Sequence, residues 1–130
     1  MATVKTIING TRKYIVNVTG AFSVSDETNV KILDKSTLTN NKWGVEPDSI
    51  RIDEITWAVG SGFDYVKLSW DNGTDEVIDY YQGQGYMDYT PYGGKTTSGD
   101  NVPRDVLLTT SGGASGDTYS LLINCSLKWD

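Results

Sequence analysis

No histidine occurs anywhere in the 130-residue chain. That absence removes the commonest general base and the commonest transition-metal ligand. Serine–histidine triads, cysteine–histidine dyads and histidine–zinc sites are excluded with it. A single cysteine, Cys125, leaves no partner for an internal disulfide. Positive charge is scarce: 11 Lys+Arg stand against 17 Asp+Glu, for a net charge of −6 and a pI near 4.5. The basic residues form no cluster, so the acidic surface argues against nucleic acid, whose phosphates need a basic one. No apolar run approaches the ~20 residues of a membrane helix, and no membrane partner is expected. The first ten residues, MATVKTIING, carry one lysine and no apolar h-region. The expectation is a chain without a signal peptide, made and folded in the cytoplasm.

The composition that remains points to β-structure. Fourteen glycines, many threonines and serines, and 11% aromatics suit short strands joined by turns. One domain spanning residues 1–130 is expected, since that length builds a core without disulfides or metals. Neither a repeat nor a linker divides it, and no window is a convincing amphipathic helix.

Alternation sets out the strands. Thr3 to Ile8 is the first, closed by Asn9-Gly10, a pair suited to a tight hairpin. Arg12 to Thr19 follows with Tyr14, Val16 and Val18 on one face, then Asn29 to Asp34 with Val30 and Ile32. Residues 35–48 have no clean period and read as a long loop with room for one helical turn. From Ser49 to Ala58 the inward set begins as Ile50 and Ile52, then changes phase to Ile55 and Trp57. A period of two skips only where a residue is added, which predicts a β-bulge near Asp53-Glu54. Phe63 to Trp70 places Val66, Leu68 and Trp70 together, and Asp71-Asn72-Gly73 turns into Glu76 to Tyr80. After Asp105 to Thr110, the strand Thr118 to Lys128 alternates most regularly. Its set Tyr119, Leu121, Ile123, Cys125, Leu127 and Trp129 is broken only by Leu122 on the other face. About eight antiparallel strands predict a single-domain all-β sandwich of jelly-roll or related Greek-key topology. The segment 1–8 is an edge strand or arm.

Candidate chemistry is sparse. The acidic pairs Asp26-Glu27, Asp53-Glu54 and Asp75-Glu76 each place neighbours on opposite strand faces. A glycosidase needs two carboxyls facing each other at ~5–9.5 Å, so solvated charge is the better reading. Asp71 to Glu76 is dense in oxygen ligands, but lacks the glycine and glutamate spacing of an EF-hand calcium loop. The 94–99 stretch, GKTTSG, lacks the first glycine of a phosphate loop and precedes no helix. Cys125, on an apolar strand face, reads as a small buried hydrophobe. No catalytic residue, cofactor or metal is assigned.

What stands out is YYQGQGYMDYTPYGG, residues 80–94, with five of the eight tyrosines. Tyr80, Tyr81, Tyr86, Tyr89 and Tyr92 suit a stacking platform for sugars, anchors at a protein interface, or internal packing. Tyr80 and Tyr81 are neighbours on a strand, so one faces inward and the other outward. The candidate partner-binding set is Tyr81, Tyr86, Tyr89 and Tyr92.

Several segments taken together carry a resemblance. They are VKILDKSTL (30–38), SIRIDEITWAV (49–59), VKLSWDNGTDEVI (66–78), YMDYTPYGG (86–94) and DVLLTTSGGASGDTYSLLI (105–123). Together they resemble small β-rich virion structural proteins of tailed phages, marine and cyanobacterial ones especially. The resemblance spans roughly residues 3–128, and its motifs are strands and turns rather than catalytic signatures. It implies a non-enzymatic capsid decoration (cement) protein on the outer surface of a phage head. Its implied partners are the major capsid protein and copies of itself, as in a homo-oligomer. The heavier load of tyrosine after Tyr80 departs from that group. A carbohydrate-binding or host-recognition module, or a tail or neck component, is the alternative.

Overall fold

A side-chain period of two buries one side of each strand, and the buried sides of two stacked sheets meet in a common core. A computed structural model of the chain describes residues 2–10, 12–22, 25–38, 49–71, 75–96 and 104–128. Nine strands run through them: β1 (Ala2–Asn9), β2 (Lys13–Ala21), β3 (Val30–Leu33), β4 (Ser49–Val59), β5 (Tyr65–Trp70), β6 (Glu76–Tyr81), β7 (Gln84–Asp88), β8 (Val106–Ser111) and β9 (Thr118–Lys128). Two short 3-10 turns, Lys35–Thr37 and Thr90–Tyr92, accompany them.

The strands pair antiparallel as β2 with β9, β3 with β8, β4 with β7 and β5 with β6. From β2 to β9 the chain is therefore one long ribbon doubled back between β5 and β6. It is wound so that successive rungs fall alternately in two sheets. The contacts of β4 with β9 and of β5 with β8 join the windings. One sheet reads β1-β2-β9-β4-β7 and the other β3-β8-β5-β6. This is a jelly roll with one added edge strand, β1.

The expected inward sets fill the core. Tyr14, Val16 and Val18 of β2 are buried there, with Val66, Leu68 and Trp70 of β5 and Tyr119 through Leu127 at alternate positions of β9. Burying such a side chain is worth about 1.5–3 kcal/mol, so these rows outweigh any surface pair. β1 differs: among the described residues it pairs with β2 alone, and all but its first residue are exposed. Its hairpin closes with the Gly10 N–H donating to the Lys13 carbonyl at 2.9 Å.

The bulge expected near Asp53-Glu54 is present. Ile52 stands opposite Cys125 and Glu54 opposite Asn124, which leaves Asp53 as the extra residue. The skip lets Ile50, Ile52 and Ile55 all reach the core. Trp57, expected beside them, is only partly buried and packs on the core from its rim. A similar shift in β3, between Lys31 and Leu33, buries Ile32 and Leu33 together and leaves Val30 half-exposed.

One strand was not expected at all. Residues 84–88 form β7, the edge of the five-stranded sheet opposite β1. The turn at Asn72-Gly73, most of the 35–48 loop, Trp129 and the end of GKTTSG lie outside the described residues.

Candidate functional site

The tyrosine-rich segment runs along one lateral margin of the sandwich. β6 is the edge of the four-stranded sheet and β7 the edge of the five-stranded one. Only Gln82 and Gly83 join them, and Gly83 takes the left-handed conformation (φ 61°) that makes so short a crossing feasible. Gly85 then lies against the Trp57 ring. A Cβ there would sit 2.4 Å from Trp57 Cζ2, so only glycine lets the strand pass. Trp57 in turn donates its Nε1–H to the Gln82 carbonyl at 2.9 Å and tilts against Tyr81, centroids 4.9 Å apart.

Two of the four candidate tyrosines turn inward, which corrects the expectation that they meet a partner. Tyr81 is 1% exposed and Tyr89 4%. Tyr89 donates to Asp79 Oδ2 at 2.9 Å, and that leaves its oxygen to accept from the Tyr81 hydroxyl at 3.0 Å. Burial pushes both phenols up, Tyr89 to about 12. For Tyr81 the Tyr89 hydrogen bond adds to the rise; for Tyr89 the Tyr81 bond opposes it and Asp79 adds to it. Both rings stay neutral donors. The Lys95 ammonium lies 5.4 Å from the centroid of the Tyr89 ring. This is the internal packing considered among the three readings, finished by a satisfied polar chain.

The others point outward. Tyr86 is 57% exposed and Tyr92 78%, and Tyr80 rather than Tyr81 is the outward member of its pair. Tyr92 sits at the tip of the 3-10 turn Thr90–Tyr92, started by Pro91 and stopped by Gly93, whose φ of 86° ends the helical bonding. Asp88 Oδ1 fixes the entry by accepting from the Thr90 N–H at 2.9 Å and its hydroxyl at 2.6 Å. Those two bonds hold the Asp88 carboxyl below its ordinary range. Tyr80 packs edge-on against Tyr65, centroids 5.1 Å apart, on the outer face of the four-stranded sheet. Tyr86, paired across from Thr56, lies on the outer face of the other sheet. Tyr80 and Tyr86 thus face away from each other and cannot make one flat platform for a sugar.

The carboxylates serve the framework. Asp26 accepts from the Gly112 and Gly113 amides at 3.0 and 3.1 Å, and Glu27 accepts from the Tyr119 hydroxyl. Asp53, 3% exposed, holds Arg51 Nε at 2.7 Å and Lys13 Nζ at 3.4 Å, and accepts from the Ser126 hydroxyl. Burial, helped by the nearby Asp53 charge, pushes the Cys125 thiol up, and Lys13 opposes the rise only in part. It is not a reactive thiolate. Two shallow, open grooves mark the outer face of the five-stranded sheet. One is lined by Thr19, Gly20, Ala58 and Ser120, the other by Thr56, Gln84, Gly85 and Leu122, and neither has a charged side chain on its wall. Among the described residues no group of three His, Cys, Asp or Glu could hold a metal.

The feature that sequence reasoning missed is where the exposed apolar groups fall. Among the described residues the large exposed ones are Val4, Ile7, Ile8, Val77, Tyr80, Tyr86, Tyr92 and Leu122. Three are on β1, and four are on β6, β7 or the turn after β7; only Leu122 is mid-sheet. The surface is apolar at its two lateral margins.

No family model matches the chain, and no curated protein does either. Among solved structures it is similar to an RmlC-like cupin family protein with a double-stranded β-helix fold from Methanocaldococcus jannaschii. The two share 9% identity at a TM-score of 0.40, over 98% of this chain and 81% of the other. A likeness at that level carries no functional argument. The jelly roll stands on the strand pairing itself.

Proposed function

We propose that this chain is a non-enzymatic structural protein of a phage particle, a decoration protein that docks many copies onto the outer surface of the head. The observation that carries the reading is the placement, among the described residues, of seven of eight exposed large apolar side chains on β1 or along the β6–β7 margin with the turn that follows it. Edge strands offer unpaired backbone groups, and apolar or aromatic side chains beside them supply the desolvated centre of an interface. A compact jelly roll with contacts at its margins suits tiling on a repeated surface. The resemblance of its strand and turn segments to small phage virion proteins names the setting. The major capsid protein is then the partner beneath.

The sugar-binding alternative loses its main support because Tyr80 and Tyr86 lie on opposite faces. A tail or neck position is separated from decoration by stoichiometry. Quantitative mass spectrometry of purified particles is expected to find this chain in numbers comparable to the major capsid protein. A handful of copies per particle, as at a neck or tail, would overturn the reading.

A further inference from the structure

The two apolar margins differ in charge. Residues 1–25, which contain β1 and β2, carry Lys5, Arg12 and Lys13 and no carboxylate. Residues 71–95, which contain β6, β7 and the turn after them, carry Asp71, Asp75, Glu76, Asp79 and Asp88 and one basic residue, Lys95, which pairs with Ile52 of β4 and lies over the Tyr89 ring. Both β1 and β7 are edges of the same five-stranded sheet. On that sheet β1 carries Lys5 at one edge and β7 carries Asp88, opposite Glu54, at the other, while Glu76 and Asp79 lie on β6 of the adjoining sheet.

We infer that the β1 margin of one copy docks on the β7 margin of the next, so that the sheet continues from copy to copy. The inference rests on the margin-docking reading above and names a second copy as the partner. Backbone groups along the two free edges would complete each other's ladders. Ile8, opposite Ile15 on the outer face, would meet Tyr86, which is exposed on that same face. Lys5, opposite Asn17 on that face, would approach Asp88, two residues from Tyr86 on the same face. A two-fold contact of β1 with β1 runs antiparallel and, centred on the strand, would instead bring Lys5 toward its own copy, where like charges oppose docking. The margins lie at opposite ends of the sheet, so one copy cannot satisfy both by itself. The contact is heterologous, and it closes into a ring or continues as a row according to the angle between copies.

Native mass spectrometry and sedimentation of the purified chain, over a range of concentration and salt, test this. The wild type is expected to form species larger than a dimer as concentration rises, and fewer of them at high salt. Lys5→Glu and Asp88→Lys are each expected to weaken association roughly tenfold or more. An equimolar mixture of the two restores it, because each supplies the charge the other has reversed. Melting curves check that both variants fold, and Gln84→Lys replaces Asp88→Lys if it does not. A wild type that stays monomeric overturns the inference. So does association that Lys5→Glu abolishes while folded Asp88→Lys and Gln84→Lys leave it intact. Decoration of particles by a chain that never self-associates would remove this contact alone. Self-association without incorporation into particles would remove the virion reading alone.

Discussion

Asp53→Ala lowers the unfolding free energy by roughly 2–4 kcal/mol, the largest effect expected from any single polar side chain. The carboxylate is the one charge the β4 bulge draws below the surface, 3% exposed. Its removal strands Arg51, whose side chain is only 26% exposed, and leaves the Ser126 hydroxyl without its acceptor. A buried group that loses its partner costs its full desolvation. Lys13 contributes little, because it is half-exposed and turns readily to water. Asp53→Asn keeps an acceptor but not the charge, so its loss falls between wild type and alanine. Urea denaturation measures all three, with a shifted midpoint and an unchanged slope. A loss below about 0.5 kcal/mol for the alanine variant would mean that the bulge stands without its carboxylate.

Tyr81→Ala and Tyr92→Ala are expected to separate stability from docking. Tyr81 is buried between Trp57 and Tyr89, so truncation opens a cavity and removes the donor from which the Tyr89 oxygen accepts. Large aromatic truncations in cores cost about 3–5 kcal/mol, a large share of a small domain's total stability. Tyr81→Phe keeps the ring and loses only the hydroxyl, for about 1 kcal/mol. Tyr92 lies at an exposed turn tip, and its truncation leaves stability within about 0.5 kcal/mol. The same change weakens attachment to particles and between copies. Thermal melts beside a particle-binding assay read both. Normal attachment by Tyr92→Ala and Tyr86→Ala together would remove the tyrosines from the interface.

The sequence shows the jelly roll's parts more readily than their order. Where a strand has one wet face and one dry one, as in β2 and β9, period two names every buried residue; in β5 it names Val66, Leu68 and Trp70 but misses Ser69, buried on the other face. The skip between Ile52 and Ile55 was legible for the same reason. β7 was not legible, because Gln84-Gly85-Tyr86 has no apolar alternation. The strand exists since Gly85 fits beneath Trp57, a tertiary fact. The inward member of the Tyr80-Tyr81 pair depends on a further register shift in β6, between Asp79 and Val77, which buries both Ile78 and Tyr81. An odd spacing of that kind has no signature in local composition. Tyr89 was misplaced because its burial comes from Asp79 and Tyr81, ten and eight residues earlier in the chain. The margins became visible only once strand order set β1 and β7 at opposite ends.

Under the proposed function this chain docks its sheet margins on the outside of a phage head. Electron microscopy of particles that contain it, at a resolution that places strands, tests the claim most directly. Jelly-roll density repeated over the outer shell is expected, with β1 or the β6–β7 margin at its contacts. Density confined to the tail or neck would contradict it. So would attachment through the sheet faces with both margins facing solvent.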